Sequence, residues 1–170
     1  MNIFWLLAFL LTSCTGLPKG LTPVEAFEIN RYLGTWYEIA RLEQSFEKGL
    51  DNISANYTLA PDGGVKVLNR GRNPETGEWK QAEGKAFFID QPTVGRLKVS
   101  FFRPFYGSYN IIALDRENYR YAMVTGQNRS YLWILSRTKT MPKETLDALI
   151  DKARRMGFAT DKLVTVKHDR

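Results

Sequence analysis

The chain has 170 residues, of which 44% are apolar, 13% aromatic and 25% charged, and it carries a formal charge of +6. That composition belongs to a single folded globular domain and excludes disordered, collagen-like and linker-rich designs. One cysteine, Cys14, and one histidine, His168, exclude an internal disulfide, a thiolate zinc cluster and a CxxC redox pair, and make a histidine-based metal site or relay improbable. No metal or cofactor is expected. The positive residues are scattered, with a mild cluster at Lys152, Arg154 and Arg155, and read as a solvated surface.

In chain order, residues 3–11 (IFWLLAFLL) come first, an uninterrupted apolar run. A membrane-spanning helix needs about 20 such residues, so the run suits the apolar core of an export signal instead. Leu11-Thr12-Ser13-Cys14 follows at once and resembles the lipobox of bacterial lipoproteins, where a small residue admits the peptidase and the thiol carries the lipid. One departure is the lack of any Lys or Arg within 1–13. Thr15, not Asp, follows the cysteine, which by resemblance implies the outer membrane, facing the periplasm. The expected organisation is therefore a signal peptide over 1–13, lipidation at Cys14, a lipidated tether over 14–24 and a folded domain over 25–170. Several acyl chains give durable anchoring to the membrane, and an exported protein is not expected to use its charge on nucleic acid.

From residue 35 onwards short β-type runs alternate with turn signals. The runs are 35–42, 53–59, 65–70, 79–89, 96–102, 108–114, 119–125 and 131–136, separated by stretches such as Pro61-Asp62-Gly63-Gly64 and Asn73-Pro74-Glu75-Thr76-Gly77. Eight closely spaced strands point to a sandwich or an up-and-down barrel. After Arg137 the period changes: Leu146, Leu149, Ile150, Ala153 and Met156 recur at helical steps between Pro142, placed for a first helical position, and Gly157, placed for a helix end. A short closing strand is read at 162–167. The fold class is all-β, an eight-stranded antiparallel up-and-down barrel with one C-terminal α-helix packed on the outside.

Strand side chains alternate between faces, so parity nominates an interior. Val65, Val67 and Asn69 share a face, as do Leu97, Val99 and Phe101, then Tyr109, Ile111 and Ala113, then Tyr131, Trp133, Leu135 and Arg137; Ala55 goes with Tyr57. A barrel of this size either fills its interior with side chains or encloses one small ligand. Small residues at Ala55, Ala82, Gly84, Ala86, Ala113 and Ala122 leave volume. Tyr57, Asn69, Tyr109 and Trp133 carry polar groups that a dry, filled core would have to satisfy. These features tilt the reading towards a cavity without deciding it.

Gly34-Thr35-Trp36-Tyr37-Glu38, then Asp115 before Glu117-Asn118-Tyr119, then Arg137 closing Trp133-Ile134-Leu135-Ser136-Arg137 are three ordered motifs that together resemble those of the lipocalins. The likeness spans residues 25–168. It runs nearest to the bacterial outer-membrane lipocalin lipoproteins and apolipoprotein D, with Leu114-Asp115-Arg116 departing slightly from the usual second motif. The resemblance implies that the Arg137 guanidinium lies across the Trp36 indole and closes one barrel end, a cation–π contact of about 0.5–2 kcal/mol. Gly34, Trp36, Asp115 and Arg137 are thus structural markers rather than ligand residues. Glu38 shares parity with Trp36, and a buried carboxylate needs a partner; Arg137 is the expected one. The mouth is framed by loops 44–51, 71–77, 102–107 and 126–130. The aromatic segment 102–107 is a lid, a membrane contact or a rim cluster.

The leading functional reading is a binding protein that holds a fatty acid or lysophospholipid and stores or transports it in envelope maintenance or stress. The candidate ligand-binding residues are Tyr57, Val65, Val67, Asn69, Val99, Phe101, Tyr109, Ile111 and Trp133, with the headgroup nearer Asn69, Tyr57 and the mouth. The protein is expected to be a monomer or homodimer. Two alternatives stand beside it: a filled-barrel envelope scaffold that binds another protein, and a lipid-modifying enzyme, for which no GxSxG, HExxH or phosphate-binding glycine loop is present.

Overall fold

The computed structural model describes residues 15–169; the signal segment and Cys14 lie outside the described residues. A four-residue helix, α1 (Ile29–Tyr32), leads into eight strands: β1 (Gly34–Leu42), β2 (Asp51–Leu59), β3 (Val65–Arg72), β4 (Trp79–Phe88), β5 (Arg96–Phe102), β6 (Phe105–Leu114), β7 (Tyr121–Thr125) and β8 (Leu132–Ser136). Helix α2 (Lys143–Arg155) and a short strand, β9 (Leu163–Thr165), follow. The strands fall where alternation and turn residues place them. Three local features differ: Pro142 precedes α2 as its cap rather than opening it, α1 has no periodicity to betray it, and β6 begins at Phe105. Phe102 and Phe105 pair directly, so the expected loop 102–107 is a tight hairpin.

From β1 to β8 each strand pairs antiparallel with the next, and β1 pairs with both β8 and β2, which closes the barrel. The seam is shared. Residues 34–37 of β1 pair with β2, whereas Ala40–Leu42 pair with β9. The C-terminal tail continues the seal: the Asn52 N–H donates to the Lys167 carbonyl at 2.8 Å, and His168 Nε2 lies 2.7 Å from the Glu38 carbonyl.

Apolar residues sort into two layers. The inner layer includes Trp36, Tyr57, Val65, Val67, Leu97, Ile111, Val124 and Leu135. The outer layer joins the barrel wall to α2 through Ile39, Ile112, Ala113, Met123, Ile134, Leu149, Ala153 and Phe158. Leu146, Ile150 and Met156 complete the helix stripe from partly buried positions. Each large side chain taken from water here contributes about 1.5–3 kcal/mol. Ala113 was expected inside, but a register shift between Ile111 and Ala113 turns it outward. One extra residue in one strand reverses the parity beyond it.

The chain is docked on the barrel from its first described residues. Asn110 Nδ2 donates to the Gly16 carbonyl at 3.1 Å, and Val24 exchanges 2.8 Å backbone bonds with Ile111 and Gly95 while packing into the inner layer. The folded body thus begins before residue 25.

Candidate lipid cavity

The barrel encloses a cavity of about 810 Å³, inside the range of about 300–1,000 Å³ typical of small-molecule sites. A filled interior, the mark of the scaffold alternative, is not what the barrel has. Of the candidate residues, Tyr57, Val65, Val67, Asn69, Val99, Phe101, Tyr109 and Trp133 line the cavity. Ile111 does not. It is fully buried among the inner core residues, pressed against Gly95, where an added Cβ would stand 3.1 Å from the Ile111 Cβ and 2.7 Å from Val24. The small residue Gly84 is also not free space, since a Cβ there would meet the Phe101 ring at 2.8 Å.

One end is closed by the motif residues. Gly34 adopts φ +90°, a conformation open to glycine and strained for other residues, and this brings β1 in beneath α1. The Arg137 guanidinium carbon lies 4.0 Å from the centre of the Trp36 ring. Its nitrogens donate to the carbonyls of Thr35 at 3.0 Å, Arg31 at 2.7 Å and Tyr119 at 3.3 Å. Trp36 Nε1 donates to the Tyr32 carbonyl at 2.8 Å, and the Tyr32 and Trp36 rings stack at 4.6 Å. Asp115 builds the neighbouring turn: it accepts from the backbone N–H groups of Asn118 and Arg120 at 3.3 Å and from Arg120 Nε at 2.9 Å. Burial pushes the Asp115 carboxyl up, but these bonds prevail and hold it below its ordinary range.

At the base of the cavity three phenols meet. Tyr109 Oη lies 2.8 Å from Tyr32 Oη and 2.9 Å from Tyr57 Oη. Burial raises all three above the ordinary tyrosine range, Tyr57 to about 12. Tyr57 was expected nearer the mouth; its hydroxyl instead meets that of Tyr109, which also holds Tyr32 of α1, at the closed end.

Further up the wall sits an ionic cluster. The shift between Glu38 and Ala40 in β1 turns Arg41 inward, where strict alternation would have sent it out. Glu38 is buried, and its partner is Arg41 at 3.1 Å, not Arg137. Arg41 also donates to the Glu47 carbonyl at 3.0 Å and lies 3.8 Å from the Glu47 carboxylate and 3.6 Å from that of Glu43. Trp133 Nε1 donates to Glu47 Oε1 at 2.9 Å. Burial, reinforced by Glu47, pushes the Glu38 carboxyl up to about 8 against the pull of Arg41; burial also raises Glu47. A third polar feature is Asn69, whose buried Oδ1 has no hydrogen-bond partner among the described residues.

The open end is rimmed by Phe46, Phe102 and Phe105, exposed by 68%, 77% and 68%. Sequence reading missed Tyr32, Phe46, Glu47 and Leu50, all of which line the cavity. The one available signal was that 44–51 frames the mouth; nothing local marks Glu47 as buried.

A lipocalin-like domain profile matches residues 27–168. The chain is 54% identical to outer membrane lipoprotein Blc of Vibrio cholerae over 162 residues, covering 95% of each chain. It is 36% identical to apolipoprotein D of Mus musculus over 148 residues, covering 83% of this chain and 77% of the other. Among solved structures, insecticyanin of Manduca sexta superposes with a TM-score of 0.70 at 19% identity, covering 91% of this chain and 88% of that one. With its motifs, closed barrel and family profile in agreement, the chain belongs to the lipocalin family.

Proposed function

We propose that the protein is a lipid-anchored lipocalin of the outer membrane that holds one amphiphile, a fatty acid or lysophospholipid, and stores or carries it on the periplasmic face. The observation that carries this reading is the cavity of about 810 Å³ open at one end of a closed barrel. Its apolar wall, with Val65, Val67, Val99, Phe101 and Trp133, suits an acyl chain. About ten methylenes at roughly 0.8 kcal/mol each provide on the order of 8 kcal/mol. Part of this is lost in immobilising the ligand, so the acyl chain alone falls short of the roughly 8 kcal/mol that micromolar affinity needs, and contacts along the headgroup supply the rest. The relatives named outer membrane lipoprotein support the location, and Cys14 is the residue proposed to carry the anchor.

The test uses residues 15–170, which retain the core residues described above. A fluorescent fatty acid is expected to bind saturably, and Trp133→Ala to weaken it about tenfold. Trp133→Phe, which keeps an aromatic wall but loses the bond to Glu47, is expected to weaken it less. Lysophospholipid recovered after incubation is expected to be chemically intact, as from a carrier. Absence of any retained or exchangeable amphiphile in native mass spectrometry would refute the reading.

A further inference from the structure

The three phenols at the cavity base allow a count of protons. Tyr32, Tyr57 and Tyr109 each own one hydroxyl hydrogen, and the two contacts that join them, both to Tyr109, consume two of the three. Whichever way the two bonds run, one O–H donor is left over. Among the described residues, the neighbouring polar groups do not take it. The Trp36 indole is itself a donor, committed to the Tyr32 carbonyl. Arg137 has only donors and spends them on backbone carbonyls. Glu38, the acidic group whose charge acts on Tyr57, is bonded by Arg41 and by none of the three phenols. All three phenols face the cavity, and burial keeps them protonated far above neutral pH, so the spare donor persists across the physiological range.

We propose that the base of the cavity is a receptor for a neutral carbonyl oxygen carried at the inner end of the bound molecule, as in an acyl chain with a keto group at its tail. This deepens the lipid-binding reading and rests on it. The chemistry follows from the single donor. A buried carboxylate needs several hydrogen bonds to offset its desolvation, and one spare phenol does not supply them. A bare methyl terminus offers this buried donor no partner, which is unfavourable. A carbonyl is satisfied by one donor and brings no proton of its own that needs a partner. The Arg137 charge behind the Trp36 and Tyr32 rings, 4.0 Å from the first of them, favours the negative end of a C=O dipole at this point.

The probes are hexadecanoic acid and 15-oxohexadecanoic acid, of equal length and with the same headgroup, each measured by displacement of a fluorescent fatty acid from residues 15–170. Because a keto group also changes the cost of leaving water, the informative quantity is the ratio of the two affinities in the native protein against that in the Tyr32→Phe, Tyr57→Phe, Tyr109→Phe triple variant. That ratio is expected to shift at least tenfold against the keto acid when the hydroxyls are removed. An unchanged ratio with both ligands still bound overturns the proposal and leaves the lipid-binding reading standing. Binding of hexadecanoic acid without binding of the keto acid also overturns the proposal alone, whereas failure of both acids to bind the native protein overturns the lipid-binding reading as well. If the triple variant does not fold, the infrared carbonyl stretch of 13C-labelled keto acid bound to native protein decides. A shift to lower frequency relative to the same group in hydrocarbon supports the proposal, and an unshifted band overturns it.

Discussion

Arg137 and Arg41 sit on the same barrel and solve the burial of a guanidinium in different ways. Arg137, at the closed end, is only partly buried, stacks on Trp36 and gives its hydrogen bonds to backbone carbonyls. It needs no carboxylate, so that end holds its arrangement across a wide pH range. Arg41, with its side chain 1% exposed, is surrounded by the acidic side chains of Glu38, Glu43 and Glu47. A buried cation of that kind depends on its partners, and they depend on it. The closed end is therefore a fixed structural lock, and the upper wall is an ionic network whose balance changes with protonation.

The largest expected effect comes from breaking the buried network. Arg41→Met keeps the length of the side chain and removes the charge, leaving Glu38 and Glu47 buried without their cation. Removal of one partner of a buried pair costs about 3–5 kcal/mol. Urea unfolding at pH 9, above the value of about 8 that Glu38 has in the parent, is expected to show a loss of this size, eased at pH 5 where the carboxyls are protonated in both proteins. A loss below 1 kcal/mol at pH 9 would mean that the cluster is better solvated than its burial implies.

The next effect is a pH dependence. Glu38 is pushed up to about 8 in the folded protein from an ordinary value of 4.5, so the folded state holds this proton more tightly than the unfolded chain. The favourable contribution is complete below about 4.5 and is lost as the pH rises through about 8. Glu38→Gln keeps the shape and removes the titration. The variant is expected to match the parent in unfolding free energy near pH 4 and to exceed it by several kcal/mol at pH 9. The comparison isolates Glu38 from Asp51, Asp62 and Asp115, whose lowered values act in the opposite sense on the acid side. A difference that does not grow with pH would place the titrating proton elsewhere.

What could be read from the sequence follows the range over which each feature is encoded. Strand positions such as Val65, Val67 and Val99 obey a two-residue period and fall on the cavity wall. Trp36 and Arg137 sit in short motifs that travel with the fold, and their stacking was legible for that reason. The bulges in β1 and β6 were not. Nothing in Glu38-Ile39-Ala40 or Ile111-Ile112-Ala113 marks the extra residue, yet one turns Arg41 inward and the other turns Ala113 outward. Pairing Glu38 with Arg137 failed because it assumed unbroken alternation. Tyr32 escaped because α1 is one turn long. Glu47 escaped because a loop residue is drawn inside only by the tertiary contacts of Arg41 and Trp133.

The smallest effect tests the lock at the closed end. Gly34 holds φ +90°, and a Cβ built there would lie 3.4 Å from Arg137 Nη1, an ordinary contact rather than a clash. The strain of Gly34→Ala is therefore in the backbone and is expected to cost about 1–2 kcal/mol, with no change in the pH dependence set by Glu38. Gly34→Asn offers the control, because asparagine enters positive φ more readily than alanine although its side chain is larger. If the cost is conformational, Asn is the milder substitution in urea unfolding. If crowding against the Arg137 guanidinium dominates, the larger Asn is the worse of the two, and the lock resides in the packing of Arg137 rather than in the turn that precedes β1.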